Sequence, residues 1–356
     1  MITPQIRFQR KDETGFFREL KTRIDNYFEE NKITKTGGSR MVWKAIGMLS
    51  VYLIPYVLIL TGWFGPWSML LLSILMGAGL AGVGMSVMHD ACHGAFSEKR
   101  WVNKLFARSM YLVGGNVYNW KIQHNTLHHT FTNVHHADED IAGKAFLRLD
   151  RNDPLKPSHR YQHWYALGLY SLMTFAFHVK DFRQVWNWGR DTSSKVFYKE
   201  FSLLVLGKLF FFAFMFIPPI LLLNIPFWQI LIGFTVVNLT AGFILAVVFQ
   251  LAHIVEEAQQ FKAENGQLEN IFAVHQLETT ANFSPKSRFL TWYLGGLNFQ
   301  VEHHLFPNIC HLHYKHIAPI VERTAREFQV AYNIHPTFGS ALGSHMRQLK
   351  RLGTQE

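Results

Sequence analysis

Between Ala45 and Met88 the chain carries no charged residue, a run of 44 positions. One bilayer crossing takes about 20 apolar residues, so the run holds two. Gly62-Trp63-Phe64-Gly65-Pro66 divides it with turn formers and interfacial aromatics. The pattern predicts helical spans at about 42–63 and 67–88. The second carries Gly77, Ala78, Gly79, Ala81, Gly82 and Gly84, a density of small residues that suits close helix packing in lipid. The competing reading is a helical hairpin inside a soluble core, which would have to hide all 44 positions from water.

A second uncharged block runs from Leu209 to His253, after a start near Phe197 that includes Lys208. Pro218-Pro219 and Asn224-Ile225-Pro226 break it, giving expected spans at about 199–222 and 227–251. Neither connecting turn contains Lys or Arg. The charged segments 1–40, 90–200 and 256–356 are therefore expected on one face, which the positive-inside rule makes cytoplasmic. The predicted fold is all-α and integral to the membrane, with four transmembrane helices as two hairpins and a cytoplasmic helical cap. The expected organisation is a cytoplasmic N-terminal segment 1–40, a membrane domain 41–325 and a polar, basic C-terminal tail 326–356.

Segments 101–120 and 159–186 are apolar but punctuated by charges, Trp, Tyr and His, and read as helices lying along the bilayer surface. A fifth crossing at about 162–180 would put the ends of the two hairpins on different sides, which the loop charges oppose. Residues 16–28 read as an amphipathic helix. The first 40 residues show no short apolar segment with a cleavage site, so no signal peptide is expected, and they contain no His to ligate a haem. Two cysteines make no disulfide framework. The net charge of +10 is assigned to anionic lipid headgroups or an acidic partner rather than nucleic acid, because the apolar blocks already place the chain at a membrane.

The 19 histidines gather at particular places. His89 and His93 follow the second span at once. His124, His128 and His129 fall within six residues; on an α-helix His124 and His128 share a face, with His129 about 100° round. His253 closes the fourth span, and Gln300-Val301-Glu302-His303-His304 leads into Leu305-Phe306-Pro307. All four groups lie at or beyond the same ends of the spans, and the short outer turns have none. Eight imidazoles and an amide exceed a structural zinc site, which four ligands close. Nitrogen-rich sites suit Zn, Cu, Fe or Ni; iron is preferred because two iron ions with open positions suit oxygen chemistry. Asp90 and Glu302 are candidate carboxylates for orienting the ligand imidazoles. Asp138, Glu139 and Asp140 either brace the central cluster or solvate a loop. His135 and His136 have ligand-like spacing, whereas His311, His313 and His316 read as packing or surface contacts. Cys92 reads as packing. Trp120 reads as an interfacial anchor or headgroup contact, and His159, His163 and His178 as lipid-facing or headgroup contacts.

In this order around two apolar blocks, HDACH, HNTLHH and QVEHHLFP resemble the three histidine boxes of the membrane fatty acid desaturases, over about residues 45–325. The resemblance implies a non-haem di-iron enzyme that uses O2 and two electrons to place a cis double bond in a long fatty acyl chain. Its metal ligands would be His89, His93, His124, His128, His129, His303 and His304, with His253 as an additional ligand and Gln300 at the first position of the third box. A glutamine there resembles the front-end desaturases, the linoleoyl-CoA, delta-6-like type. Many of these carry a cytochrome b5 domain with a His-Pro-Gly-Gly motif, which this sequence does not contain, so an external cytochrome b5 or ferredoxin with its reductase is the expected donor. Ile122-Gln123 stand where the stearoyl-CoA type has a basic–acidic pair, which leaves acyl-CoA and acyl-lipid both open as the substrate. The rival readings are a histidine-box hydroxylase or ketolase and, in a different class, a metal-binding or metal-transport membrane protein. Transporters place their ligands near the bilayer midplane.

Overall fold

The computed structural model describes residues 5–142, 146–190 and 192–355. It divides into two compact units. One is built from 38–121 and 167–247, the other from 122–166, 248–355 and the N-terminal segment up to Gly37.

Among the described residues four helices are long and apolar enough to cross a membrane: Gly38–Leu60, Pro66–His93, Ser194–Leu222 and Phe227–His253. Each falls on an expected span, and most start earlier or end later. Pro66 opens the second at its first helical position, where a missing N–H costs nothing. Gly79 explains the small residues in that helix. A Cβ there would lie 2.5 Å from the Tyr52 backbone, so only glycine lets the first two spans approach this closely. Tyr52 then donates to the Leu112 carbonyl at 2.9 Å. The third span runs unbroken through Pro218 and Pro219 to Leu222, the end expected for it. Prolines are tolerated where neighbouring groups re-satisfy the freed carbonyls. Ile54, Leu71, Leu206, Leu221 and Trp228 are exposed, as side chains solvated by lipid would be.

No fifth span forms at 162–180. Helix Gln162–Tyr170 stops, and a separate helix Met173–Gly189 begins. A Cβ on Gly242 would clash with the Ser171 carbonyl, so this break is packed closely onto the fourth span. His178 is half-buried against Phe211 and Phe212. His159, expected to face lipid, is instead buried, its Nδ1 accepting from the Lys156 N–H at 3.1 Å.

In the second unit, helix Phe16–Glu30 buries Phe16, Leu20, Ile24 and Phe28, one residue per turn on a single face. Asp12 caps it from outside, accepting from the Phe17 N–H at 2.8 Å. That face packs with Ile317, Val321 and Ala325 of helix Tyr314–Glu327 and with Phe299 and Leu305. Each fully buried large apolar side chain contributes about 1.5–3 kcal/mol. The all-α expectation misses one small element: β1 (Ala281–Phe283) pairs in parallel with β2 (Asn333–His335). The polar C-terminal stretch also has a structural role. Helix Phe338–Leu352 buries Ala341, His345, Leu349 and Leu352, and the Arg148 guanidinium donates to the Leu352 carbonyl at 2.7 Å.

Candidate metal centre

In the first unit the second span ends in a π-helical turn, Gly84–Met88, followed by His89–His93. Such turns are frequent at functional sites. The His89 and His93 rings lie 4.8 Å apart on one face, as their spacing predicts. Trp120 meets both edge-on, at 5.4 and 5.5 Å, so it packs on these imidazoles rather than reaching a headgroup. Asp90 is buried with its carboxylate 3.7 Å from His89 Nδ1, too far for a hydrogen bond. Cys92 is buried.

The central cluster departs from its expected geometry. Lys121–His128 is π-helical, not α-helical, so the ladder joins residues five apart. The His129 N–H donates to the His124 carbonyl at 2.9 Å, which brings His129 beside His124 as well, with ring nitrogens 3.1 Å apart, while the His128 ring stacks 5.4 Å from that of His124, as expected. His128 turns to Asp138, donating Nδ1–H at 3.1 Å. Asp138 also accepts from the N–H groups of Asn133 (2.9 Å) and Asp140 (3.0 Å). Burial alone would raise the Asp138 pKa, but His128 and these donors hold it below the ordinary carboxylate range. Asp138 thus braces the central cluster, one of the two roles expected of it. His135 is directed elsewhere, to Asp150 at 2.5 Å.

The third box is a six-residue helix, Gln300–Leu305, buried throughout. His303 Nδ1 lies 3.1 Å from the Tyr314 hydroxyl. His304 Nδ1–H donates to Gln276 at 2.9 Å, with Thr132 Oγ1 at 3.1 Å. His253 is fully buried at the end of the fourth span, and His128 and His304 are each 1% exposed. His128, His253 and His304 bring one ring nitrogen each within 4.8 Å of the others. The His129 ring lies 4.3 Å from that of His304 and 4.5 Å from that of His303. Glu302 is not directed at an imidazole; it accepts from Asn282 and Tyr332. His313 packs on Phe28.

These residues fit a bound metal. With Nδ1 of His128 donating to Asp138, its Nε2 presents a lone pair. That atom, His253 Nε2 and Gln300 Oε1 are all buried with no hydrogen-bond partner among the described residues. Three buried acceptors with no donor are unfavourable unless a cation takes them. Outer partners that fix tautomer and ring direction are the usual support of metal-ligating histidines. Two of those partners, Gln276 and Tyr314, are not signalled by the sequence. Thr132 lies inside the run after HNTLHH, but Gln276 and Tyr314 carry no local signal, because their role exists only once the chain has folded.

A family model for the fatty acid desaturases matches residues 64–336. An sn-1 linoleoyl-lipid 6-desaturase of Arthrospira platensis is 34% identical over 346 residues, covering 95% of this chain and 92% of its own. A protein of the same description from Synechocystis is 33% identical over 99% of both chains. An acyl-lipid (8-3)-desaturase of Physcomitrium patens is 35% identical, over 96% of this chain and 72% of its own. With its histidine clusters and four apolar helices, the chain is a membrane protein and belongs to the fatty acid desaturase family.

Proposed function

We propose that this desaturase acts on a linoleoyl chain carried by a glycerolipid, at the sixth carbon and on the side of an existing double bond nearer the carboxyl. Support comes from the two 6-desaturase relatives, which it matches over nearly their whole length, and from Gln300 in the third box. The observation that carries the metal chemistry is the convergence of His128, His253 and His304. We assign two iron ions to His89, His93, His124, His128, His129, His253, His303 and His304. Gln300 Oε1, an acceptor with no donor among the described residues, binds iron or an iron-held water. Loaded with iron, such a site supplies the strong oxidant that two unactivated methylenes require.

The protein's own share is positioning. Asp138, Gln276 and Tyr314 hold Nδ1 of three imidazoles, which would leave Nε2 of each to a bound metal. The proposed arrangement is two transmembrane hairpins in domain 41–325, with both termini and the histidine boxes cytoplasmic and 326–356 following as the C-terminal segment. Electrons come from a separate carrier, cytochrome b5 or ferredoxin, and the net charge of +10 suits an acidic one.

The test is expression in a host with defined fatty acids, followed by gas chromatography of each lipid class and metal analysis of purified protein. A 6-unsaturated product in intact lipid, with about two irons per chain, is expected. A hydroxylated product, or a product only in acyl-CoA, overturns the reading. His304→Ala should lose more iron than Gln300→Ala. Equal and full retention by both would remove the third box from the site.

A further inference from the structure

Helix Gln300–Leu305 has only six residues, too few to hold itself as a helix. Its orientation has to be imposed, and both box-three imidazoles move if it turns. Glu302, between Val301 and His303 in the chain, is 0% exposed and has neutral donors around its carboxylate. Asn282 Nδ2 donates to Glu302 Oε2 at 2.8 Å, and the Tyr332 hydroxyl donates to Oε1 at 2.8 Å. Asn282 donates its other amide hydrogen to the Tyr332 oxygen at 2.8 Å. Asn282 Oδ1 accepts from the Val301 N–H at 2.9 Å, one of the donors a helix start leaves free. The three side chains come from distant parts of the chain and meet because β1 and β2 pair in register, Ala281 opposite Asn333. An apolar side chain would be cheaper to bury than an acid with no cation beside it.

We infer that Asn282 and Tyr332 are positioning residues for the third histidine box, fixing the rotation of helix Gln300–Leu305 through Glu302. The inference rests on the proposed iron site. Tyr314 and Gln276 direct the individual rings, and the Asn282–Glu302–Tyr332 triangle sets the helix that carries them.

The experiment uses full-length protein in detergent and compares wild type, Tyr332→Phe, Asn282→Asp, Glu302→Gln and the exchange Asn282→Asp/Glu302→Gln. The readouts are iron per chain, the rate of iron release to a strong chelator, and kcat and KM for the acyl substrate. Tyr332→Phe should release iron about tenfold faster and lose about tenfold in kcat, with KM within about twofold. The exchange swaps donor and acceptor and should recover most of what each single change loses. If Tyr332→Phe cannot be purified, the exchange decides alone: recovery supports the inference, and losses that merely add overturn it. Wild-type protein without iron overturns the parent reading. Wild type with iron, and Tyr332→Phe releasing it at the wild-type rate with unchanged kcat, overturns this inference alone.

Discussion

Among the buried carboxylates of the two units, Asp181 and Glu302 are held differently. In the first, Asp181 faces Lys208 of the third span, Nζ to Oδ2 at 2.5 Å, with both residues about 5–6% exposed. Lys208 uses its remaining hydrogens on the carbonyls of Gly114 (2.6 Å) and Phe177 (3.2 Å). In the second, Glu302 has amide and hydroxyl donors and no cation beside it among the described residues, and burial pushes its pKa up to about 7. The difference follows from the surroundings. A lysine inside an apolar span must bring an anion with it, so that pair ties helix Met173–Gly189 to the span. Beside a proposed cluster of cations, a neutral cradle orients a helix without adding a lysine that would compete for the ligands' electrostatics.

The largest expected effect breaks the charged arrangement. Lys208→Met strands Asp181 and should lower stability by about 3–5 kcal/mol, read as the unfolding midpoint in detergent. Lys208→Met/Asp181→Leu should restore most of it, because a buried pair replaced by apolar residues is often neutral. A harmless Lys208→Met would show that the two carboxylates are not handled differently after all.

How far the sequence discloses this depends on the kind of residue. Charge-free runs locate the spans because lipid tolerates few alternatives, and the box histidines are legible because three ordered motifs are hard to produce by chance. Lys208 was visible only as an interruption of a span; Asp181, 27 positions earlier, gives no sign that it is the partner. The π-helical turn that pairs His124 with His129 was also hidden, since periodicity reasoning assumes the α-helix. Asn282 and Tyr332 flank nothing recognisable, and a three-residue strand pair lies below any pattern signal. The residues that hold a site are contributed by tertiary contacts, and single-sequence patterns report local ones.

The second unit also buries a histidine, His345, which should make it sensitive to acid. His345 is 1% exposed and donates Nδ1–H to the Ile254 carbonyl at 2.7 Å. Burial pushes its pKa down to about 4. A depressed imidazole is neutral when folded, while the unfolded chain takes up its proton near pH 6.5. The contribution is therefore present above about pH 6.5 and is lost as pH falls towards 4, to a limit of about 3 kcal/mol. His345→Gln, which keeps a donor, should flatten stability between pH 6.5 and 4. An unchanged slope would remove His345 from the account.

The smallest effect tests whether an asparagine matters equally in the two regions. Asn119 Nδ2 donates to the Asp181 carbonyl at 2.8 Å and reaches Oδ1 at 3.3 Å, much as Asn282 serves Glu302. Its circumstances differ in two ways. The Asp181 carboxylate already has Lys208, and the Asp181 carbonyl lies within helix Met173–Gly189, where it can accept a helical bond. The Asn119 backbone N–H keeps its cap from Asn116 at 3.0 Å. Removing the amide takes away bonds that leave no charge stranded, so Asn119→Ala should cost about 1 kcal/mol with iron content unchanged. The measurement is the unfolding midpoint set beside Lys208→Met on one preparation. A loss as large as that of Lys208→Met would mean that the amide, not the ammonium, supports Asp181, and the contrast between the two carboxylates would be one of degree.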